Sequence, residues 1–452
     1  MRTLAAAALV LAVPPGAALA AERPAIKVNR WQEDWSVLAD PARRTEPLDG
    51  LKYVPLGPDA HLSLGLTLRE RLELGDAPTF GEDAPDTSLS QRLQVHADAR
   101  LGQGWRAFVM LEDVRAIGRR HVGGADADRL DLRLAFVDHV GELAGGKVTV
   151  RVGRQDFPID QQRFLSARDG PGVRQSFDAV WADWSRGPWT LAAFASQPVQ
   201  YADDEAFDDT SSGHVRLDLA RVERKVFGGA VSAYAGRLDR SSARYGDAVG
   251  QEDRQVYDLR YVGKTKSLDW DLEAMAQRGE VGSADVRAWA AGARGGWTFE
   301  SVPWTPRLGL QGDLASGDRR RGDGRLGTFN PLYPNAAYFT RAGYTGYANI
   351  VHLKPSVTVE PTSKLTVMVA LAGQWRRTTA DAIYGQPFVA YAGTAGQGGR
   401  WTGAYAHLRA DYVVGPSLTA TVEAVHFEAG GALRASGRDD SDYLGLELKY
   451  GW

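Results

Sequence analysis

The stretch Asp439-Asp440-Ser441-Asp442-Tyr443-Leu444-Gly445-Leu446-Glu447-Leu448-Lys449-Tyr450-Gly451-Trp452 decides the fold. Leu444, Leu446, Leu448, Tyr450 and Trp452 recur every second residue, while Gly445, Glu447, Lys449 and Gly451 fill the alternate positions. A period of two puts the apolar set on one face of a β-strand and the polar set on the other. A strand that runs to a terminal aromatic residue is the closing strand expected of an outer-membrane barrel.

The same alternation recurs upstream. Leu62, Leu64, Leu66 and Leu68 oppose Ser63, Gly65, Thr67, Arg69 and Arg71. Leu130, Leu132, Leu134 and Phe136 oppose Arg129, Asp131 and Arg133, and Val148, Val150 and Val152 oppose Thr149 and Arg151. A soluble sandwich also alternates, but here the polar face carries charges beside small residues, as a water-filled lumen requires. Short turns, such as Gly102-Gln103-Gly104 and Val414-Gly415-Pro416, also alternate with long polar loops near 75–88, 154–176, 197–213, 239–253, 317–342 and 376–399. Short periplasmic turns and long external loops mark a membrane barrel.

We read eighteen segments: 61–74, 89–101, 104–117, 129–140, 146–154, 176–186, 188–197, 213–227, 229–239, 254–264, 268–279, 284–300, 305–317, 343–358, 364–376, 399–413, 417–429 and 439–452. The expected fold is an all-β transmembrane antiparallel barrel of about 18 strands, wide enough for an aqueous channel. Two features run against the pattern: Glu70 lies on the leucine face of the first strand, and Phe108 and Met110 lie on the presumed inner face.

The bulk numbers agree. The 452 residues fit one large barrel, and 44% hydrophobic content with 24% charge is too polar for a bundle of membrane helices. The absence of cysteine excludes a disulfide framework and Cys-based metal sites, and a net charge of −3 gives no reason to expect a nucleic-acid partner. Residues 1–20 read as a signal peptide: Arg2, the apolar run Leu4 to Val13, the break at Pro14-Pro15-Gly16 and the small-residue site Ala18-Leu19-Ala20. Residues 21–58 then form a periplasmic lead-in, expected to pack against the turns, and 59–452 the barrel.

Enzyme signatures are thin. No G-x-S-x-G or H-E-x-x-H occurs, and His96 and His407 read as solvated groups on the inner face. No cofactor is implied, and a metal site cannot be read from the sequence. Arginine is the unusual feature, with 44 of the 53 basic residues. Arg69, Arg71, Arg92, Arg100, Arg106, Arg129, Arg133, Arg151, Arg216, Arg260 and Arg409 fall on inner-face parity. Arg154, Arg163, Arg168 and Arg174 lie in the loop 154–176, which is long enough to fold inward as a constriction. Two readings stay open. The guanidinium groups steer anions, or they pair with carboxylates such as Asp98, Asp131, Asp218, Asp258, Glu273, Asp411 and Glu423 to brace the wall.

Several ordered motifs carry a family likeness. They are Arg30-Trp31-Gln32-Glu33-Asp34-Trp35-Ser36, Leu51 to Gly57, Leu68-Arg69-Glu70-Arg71, Gly153-Arg154-Gln155, Arg168-Asp169-Gly170, Ser176-Phe177-Asp178, Ala315-Ser316-Gly317-Asp318 and Phe329-Asn330-Pro331-Leu332-Tyr333-Pro334. Through them the chain resembles the alginate-export family of outer-membrane porins over nearly its whole mature length. Gln175 and Ala179 stand where that family often has a basic residue and a glycine. The resemblance implies a monomeric barrel that passes anionic polyuronate outward, with outer-membrane lipid around it and export partners in the periplasm. The expected function is therefore a passive channel for anionic polysaccharide. The alternatives are a general or small-solute uptake porin of the same fold, and a barrel enzyme acting on lipid or glycan at the outer leaflet, which would need a Ser/His/carboxylate cluster at one rim.

Overall fold

The computed structural model describes residues 23–452, so the signal-peptide reading of residues 1–20 lies outside the described part. Eighteen strands form the wall: β1 Ala60–Gly75, β2 Asp86–Arg100, β3 Trp105–Ile117, β4 Asp128–Leu143, β5 Gly146–Gln155, β6 Phe177–Arg186, β7 Trp189–Gln200, β8 Val215–Val226, β9 Gly229–Tyr245, β10 Ala248–Lys264, β11 Leu268–Val281, β12 Ala284–Thr298, β13 Arg307–Ala315, β14 Ile350–Thr362, β15 Leu365–Arg376, β16 Trp401–Gly415, β17 Leu418–Ala429 and β18 Ser441–Gly451. Each pairs antiparallel with the next, and β18 closes on β1 from Thr67↔Gly451 to Gly75↔Tyr443. Closure leaves no open edge, so the ladder satisfies the wall's backbone groups within the protein, the condition for spanning a bilayer with strands.

Side chains alternate as the sequence requires. Along β1, Ser63, Thr67, Arg69 and Arg71 are buried inside. Leu259, Leu310, Leu371 and Leu448 are among the many apolar side chains left on the outer surface, where lipid covers them. Glu70 stays outward and accepts a hydrogen bond from Gln91 at 2.5 Å.

Three expectations are corrected. Residues 239–253 are not a long loop, because β9 and β10 extend as a hairpin around the two-residue turn Gly246-Asp247. Residues 343–349 are loop rather than strand. On β4 the parity switches: Met110 pairs with Leu134 but Leu111 with Leu132, which leaves Arg133 as an extra residue. Such a bulge shifts everything after it to the other face. Leu134 and Phe136 therefore turn inward, where they pack on Phe108, Met110 and Trp31.

The lead-in reaches well beyond the turns. It has short turns of 3-10 helix at Arg30–Gln32, Ser36–Ala39 and Pro41–Arg43, a helical turn Asp49–Lys52, and a short strand Val54–Gly57 paired with β1. Arg30 donates to the Leu66 carbonyl and Thr67 hydroxyl, and to the Trp452 carbonyl at 2.7 Å. Trp31 donates to Asp156 at 2.8 Å. This segment occupies part of the barrel interior.

Candidate channel constriction

Two long loops, 156–176 and 316–349, fold into the lumen. The first is clamped at both ends. Arg133 and Trp31 hold Asp156, Arg133 at 2.8 Å. Arg221 and Arg260 hold Asp160 at 2.6 and 3.1 Å. Arg163, fully buried, ion-pairs with Glu273, lies 3.5 Å from Asp271, and donates to the Tyr338 hydroxyl at 2.7 Å. At the other end Arg69 donates to the Asp169 and Pro171 carbonyls, both at 2.8 Å, and Arg71 to the Gly170 carbonyl at 2.6 Å. Arg92 reaches the Asp169 carboxylate at 2.5 Å. Arg69 stands on β1 and Arg260 on β10, while Arg92 stands on β2 and Glu273 on β11. Each pair of strands is nine places apart in a ring of eighteen, so the loop crosses the lumen from wall to wall.

The second loop lies along the first. Ser166 N–H donates to the Tyr333 carbonyl at 2.9 Å, Tyr333 N–H to the Phe164 carbonyl at 3.0 Å, and Asn335 N–H to the Gln162 carbonyl at 3.1 Å. Tyr338 and Tyr347 both donate to Asp313. Arg341 ties this loop to Glu447 at 3.0 Å, and Lys354 donates to the Phe339 carbonyl at 2.9 Å. Phe164, Phe329, Tyr333, Tyr338, Phe339 and Tyr347 form an aromatic core where the loops meet. These rings supply the apolar burial that holds both loops in a water-filled barrel.

The side chains that stay accessible at this crossing are charged. Asp169, Lys449, Arg409 and Asp411 remain partly exposed, and Lys449 Nζ lies 3.6 Å from Asp169. Burial alone would raise the Asp169 carboxyl, but Lys449, Arg92, Arg174 and Arg69 outweigh it and hold it well below the usual carboxylate range.

The candidate arginines separate into groups. Arg69, Arg71 and Arg92 grip the loop tip as described. Arg133, Arg174 and Arg151 bind Asp156, Asp156 with Asp169, and Asp138 respectively, Arg151 at 2.6 Å. Arg409 forks onto Asp411 at 2.8 Å and reaches Glu423 at 3.2 Å. Arg100 sits lower, beside Asp34 of the lead-in and Asp98. Three placements differ from expectation. Arg129, above the β4 bulge, is exposed at the rim and 4.0 Å from Asp203 of an external loop. Arg154 ends β5 on the outward parity of Val150 and Val152 and forks onto Asp178 of β6. Arg216 faces outward and pairs with Asp218 on the same face of β8, because Leu217 and Leu219 take the inner parity.

Arg168 stands apart. Its Cζ lies 5.4 Å over the Tyr333 ring, its Nε has no hydrogen-bond partner, and no carboxylate lies within 4.0 Å of it among the described residues. Burial lowers this guanidinium, and the groups around it are Tyr333, Tyr201 and the cation Arg240.

Sequence reasoning did not single out Arg341, Lys449, Arg240 or the second loop. The signal was present: five aromatic residues between Tyr333 and Tyr347 are too many for a loop facing water. Two carboxylate groups, Asp128 with Asp131 and Asp209, and Asp160 with Asp258 and Glu273, come close enough to share an ion. The second is already faced by Arg163 and Arg260.

No curated protein sequence matches the chain. Among solved structures it is similar to the Pseudomonas aeruginosa protein OpdL, with a TM-score of 0.58 at 14% identity over 86% of this chain and 98% of that one. OccK2 (OpdF) of the same organism, solved in complex with glucuronate, gives 0.58 at 12% identity over 86% and 96%. OpdK, solved with vanillate, gives 0.56 at 12% identity over 87% and 98%. At such identities these likenesses show the fold alone, the closed barrel of outer-membrane porins. Residues 60–447 match the family described as Alginate export, so the chain belongs to that family.

Proposed function

We propose that the channel passes anionic polysaccharide of the polyuronate class passively and outward, as a monomer, with Arg168 as the principal contact where the two inward loops cross. The observation that carries this reading is the setting of Arg168: no carboxylate lies within 4.0 Å of it among the described residues, while Arg69, Arg71, Arg92, Arg133, Arg151, Arg174 and Arg409 already lie in ion-pair range of protein carboxylates. A uronate unit brings the carboxylate that Arg168 lacks, and a guanidinium binds it as a two-pronged fork. Partly exposed pairs such as Arg409 with Asp411, and Lys449 with Asp169, offer weaker sites that release the chain again. Glucuronate, the ligand of OccK2, has the chemistry of one such unit. Export through a cleaved leader at residues 1–20 belongs to the same reading, and N-terminal sequencing of the mature protein tests it.

Single-channel recording in a planar bilayer tests the transport reading. A salt gradient reports ion preference, and oligouronate is added to one side. The expected result is anion preference with uronate block, and a block several-fold weaker in Arg168→Gln. A weakly selective channel that ignores uronate would instead describe a small-solute porin.

A further inference from the structure

On the outer face, beside the extracellular rim, lies a cavity of about 900 Å³ lined by Arg287, Arg319, Arg320, Arg325, Arg377 and Arg400 against only Asp318 and Asp323. Its outward position follows from register. Val286 and Leu326 are paired and buried inside, so their paired neighbours Asp285 and Arg325, with Arg287 two residues on, face out. Arg377 follows Trp375 on the outward parity of β15 and stacks 4.6 Å over the Trp289 ring. Arg287 pairs with Asp285 at 2.6 Å, while the other five arginines have no carboxylate within 4.0 Å among the described residues. Burial, and then the cations Arg319 and Arg400, lower the Arg377 guanidinium, which fits a cluster awaiting an anion.

Height is fixed by the aromatic residues. Trp289, with the outward pair Trp375 and Trp401 (ring centroids 4.9 Å apart), lies directly below the arginines. Trp297 lies eight residues down β12, about 26 Å along the strand at ~3.3 Å per residue. Such tryptophans mark the two headgroup levels. Beneath the arginines, on β12, which carries Arg287, and on β13 and β15, whose ends lead into Arg319 and Arg377, runs a second, apolar hollow of about 710 Å³ on the lipid side, lined among others by Ala274, Ala291, Ala293, Gly312, Leu353 and Trp375. Ala274, Ala291, Ala293 and Gly312 are small, which is what hollows the outer wall there.

We infer that this face binds a phosphorylated lipid of the outer leaflet, with more than one headgroup phosphate among Arg319, Arg320, Arg325, Arg377 and Arg400 and an acyl chain in the groove past Gly312. Arginine forks match phosphate oxygens, and a basic pocket above an apolar groove at headgroup height matches an anionic amphiphile. A free anion would use the arginines and leave the groove empty.

The purified full chain in detergent is titrated with diphosphoryl lipid A, monophosphoryl lipid A, phosphatidylcholine and inorganic phosphate, and binding is read by native mass spectrometry. Two variants are compared: Arg319→Gln with Arg377→Gln, and Gly312→Leu. A Cβ at Gly312 would meet nothing closer than 3.9 Å, so the outer wall leaves room for a side chain to enter the groove there. Diphosphoryl lipid A is expected to bind best, to weaken at least tenfold in the arginine double variant, and to weaken in Gly312→Leu while inorganic phosphate does not. Equal binding of phosphatidylcholine, or lipid A binding unchanged in both variants, would overturn the inference. Phosphate binding as tight as lipid A, with no effect of Gly312→Leu, would make the cluster an anion site of the channel mouth and also overturn it.

Discussion

At the scale of single residues, the interior is organised by which carboxylate each arginine meets. Arg163 is the clearest case: fully buried, it satisfies Glu273 and Tyr338 and lies within ion-pair range of Asp271. Removing one partner of a buried ion pair leaves the other charge stranded, at a cost of about 3–5 kcal/mol. Arg163→Met is therefore expected to free the far end of loop 156–176 and raise single-channel conductance, with a lower unfolding temperature. Conductance equal to the parent protein would show that the loop is held without Arg163. Much of this scale was legible beforehand. Alternation placed Arg69, Arg71, Arg92, Arg151 and Arg409 on the inner parity, where the structure has them. Leu134 and Phe136 were misplaced by a bulge at Arg133, and Arg129 by a second irregularity in the β3–β4 register between Glu112 and Val114; neither leaves a mark in a sequence read with a strict period of two. Arg216 was misplaced because Leu217 and Leu219, which alternate with Arg216 and Asp218, turn inward onto the buried cluster around the inward loops, so here the charges rather than the leucines face out.

At the scale of elements, the strands were legible and the loops only by length. A barrel strand must alternate across some ten residues in lipid, so most boundaries fall within three residues of the segments read, for instance 268–279 against Leu268–Val281. Beyond the membrane that constraint lapses, and the β9–β10 hairpin was accordingly read as loop. Whether a long loop covers the barrel or enters it depends on partners dispersed through the sequence. The tip Asp169 to Gly172, for example, is held by Arg69, Arg71 and Arg92, some eighty to a hundred residues away. This dispersal makes a deletion informative. Removing 160–172 takes away the crossing and also the groups that occupy Arg69, Arg71, Arg92 and Lys449. The deletion is expected to conduct several-fold more than the parent and to prefer anions more strongly in a salt-gradient reversal potential. A rise in conductance with no change in preference would mean that the released cations re-pair with Glu73 and Glu447.

At the scale of the whole molecule, the N-terminal segment joins parts that are otherwise separate. Arg30 binds the carbonyls of Leu66 and Trp452 at the seam where the barrel closes, and the constriction loop reaches down to the same segment when Arg174 donates to the Val28 carbonyl at 3.0 Å and to Asn29. Docking of residues 23–52 is thus coupled both to closure and to the gate. Lys52 makes that docking sensitive to pH. It is fully buried, with Nζ 4.7 Å from the Trp35 ring centroid and 4.5 Å from that of Trp452. Burial, and then the cation Arg30, push its ammonium down to about 7, against ~10.4 for a free lysine. Between these values the undocked segment binds more protons than the docked one, so docking strengthens as pH rises from about 7 towards 10 and is weakest below 7, where the buried ammonium stays charged. The expected outcome is that protease cleavage within residues 23–52 of the folded barrel slows several-fold between pH 7 and pH 9.5, after correction for the protease's own pH profile on an unfolded peptide. Lys52→Met, similar in length and without the charge, is expected to flatten that dependence and protect the segment already at pH 7. An unchanged slope in Lys52→Met would assign the titration to another group. A slope of opposite sign would mean that the two tryptophan faces stabilise the ammonium more than burial opposes it.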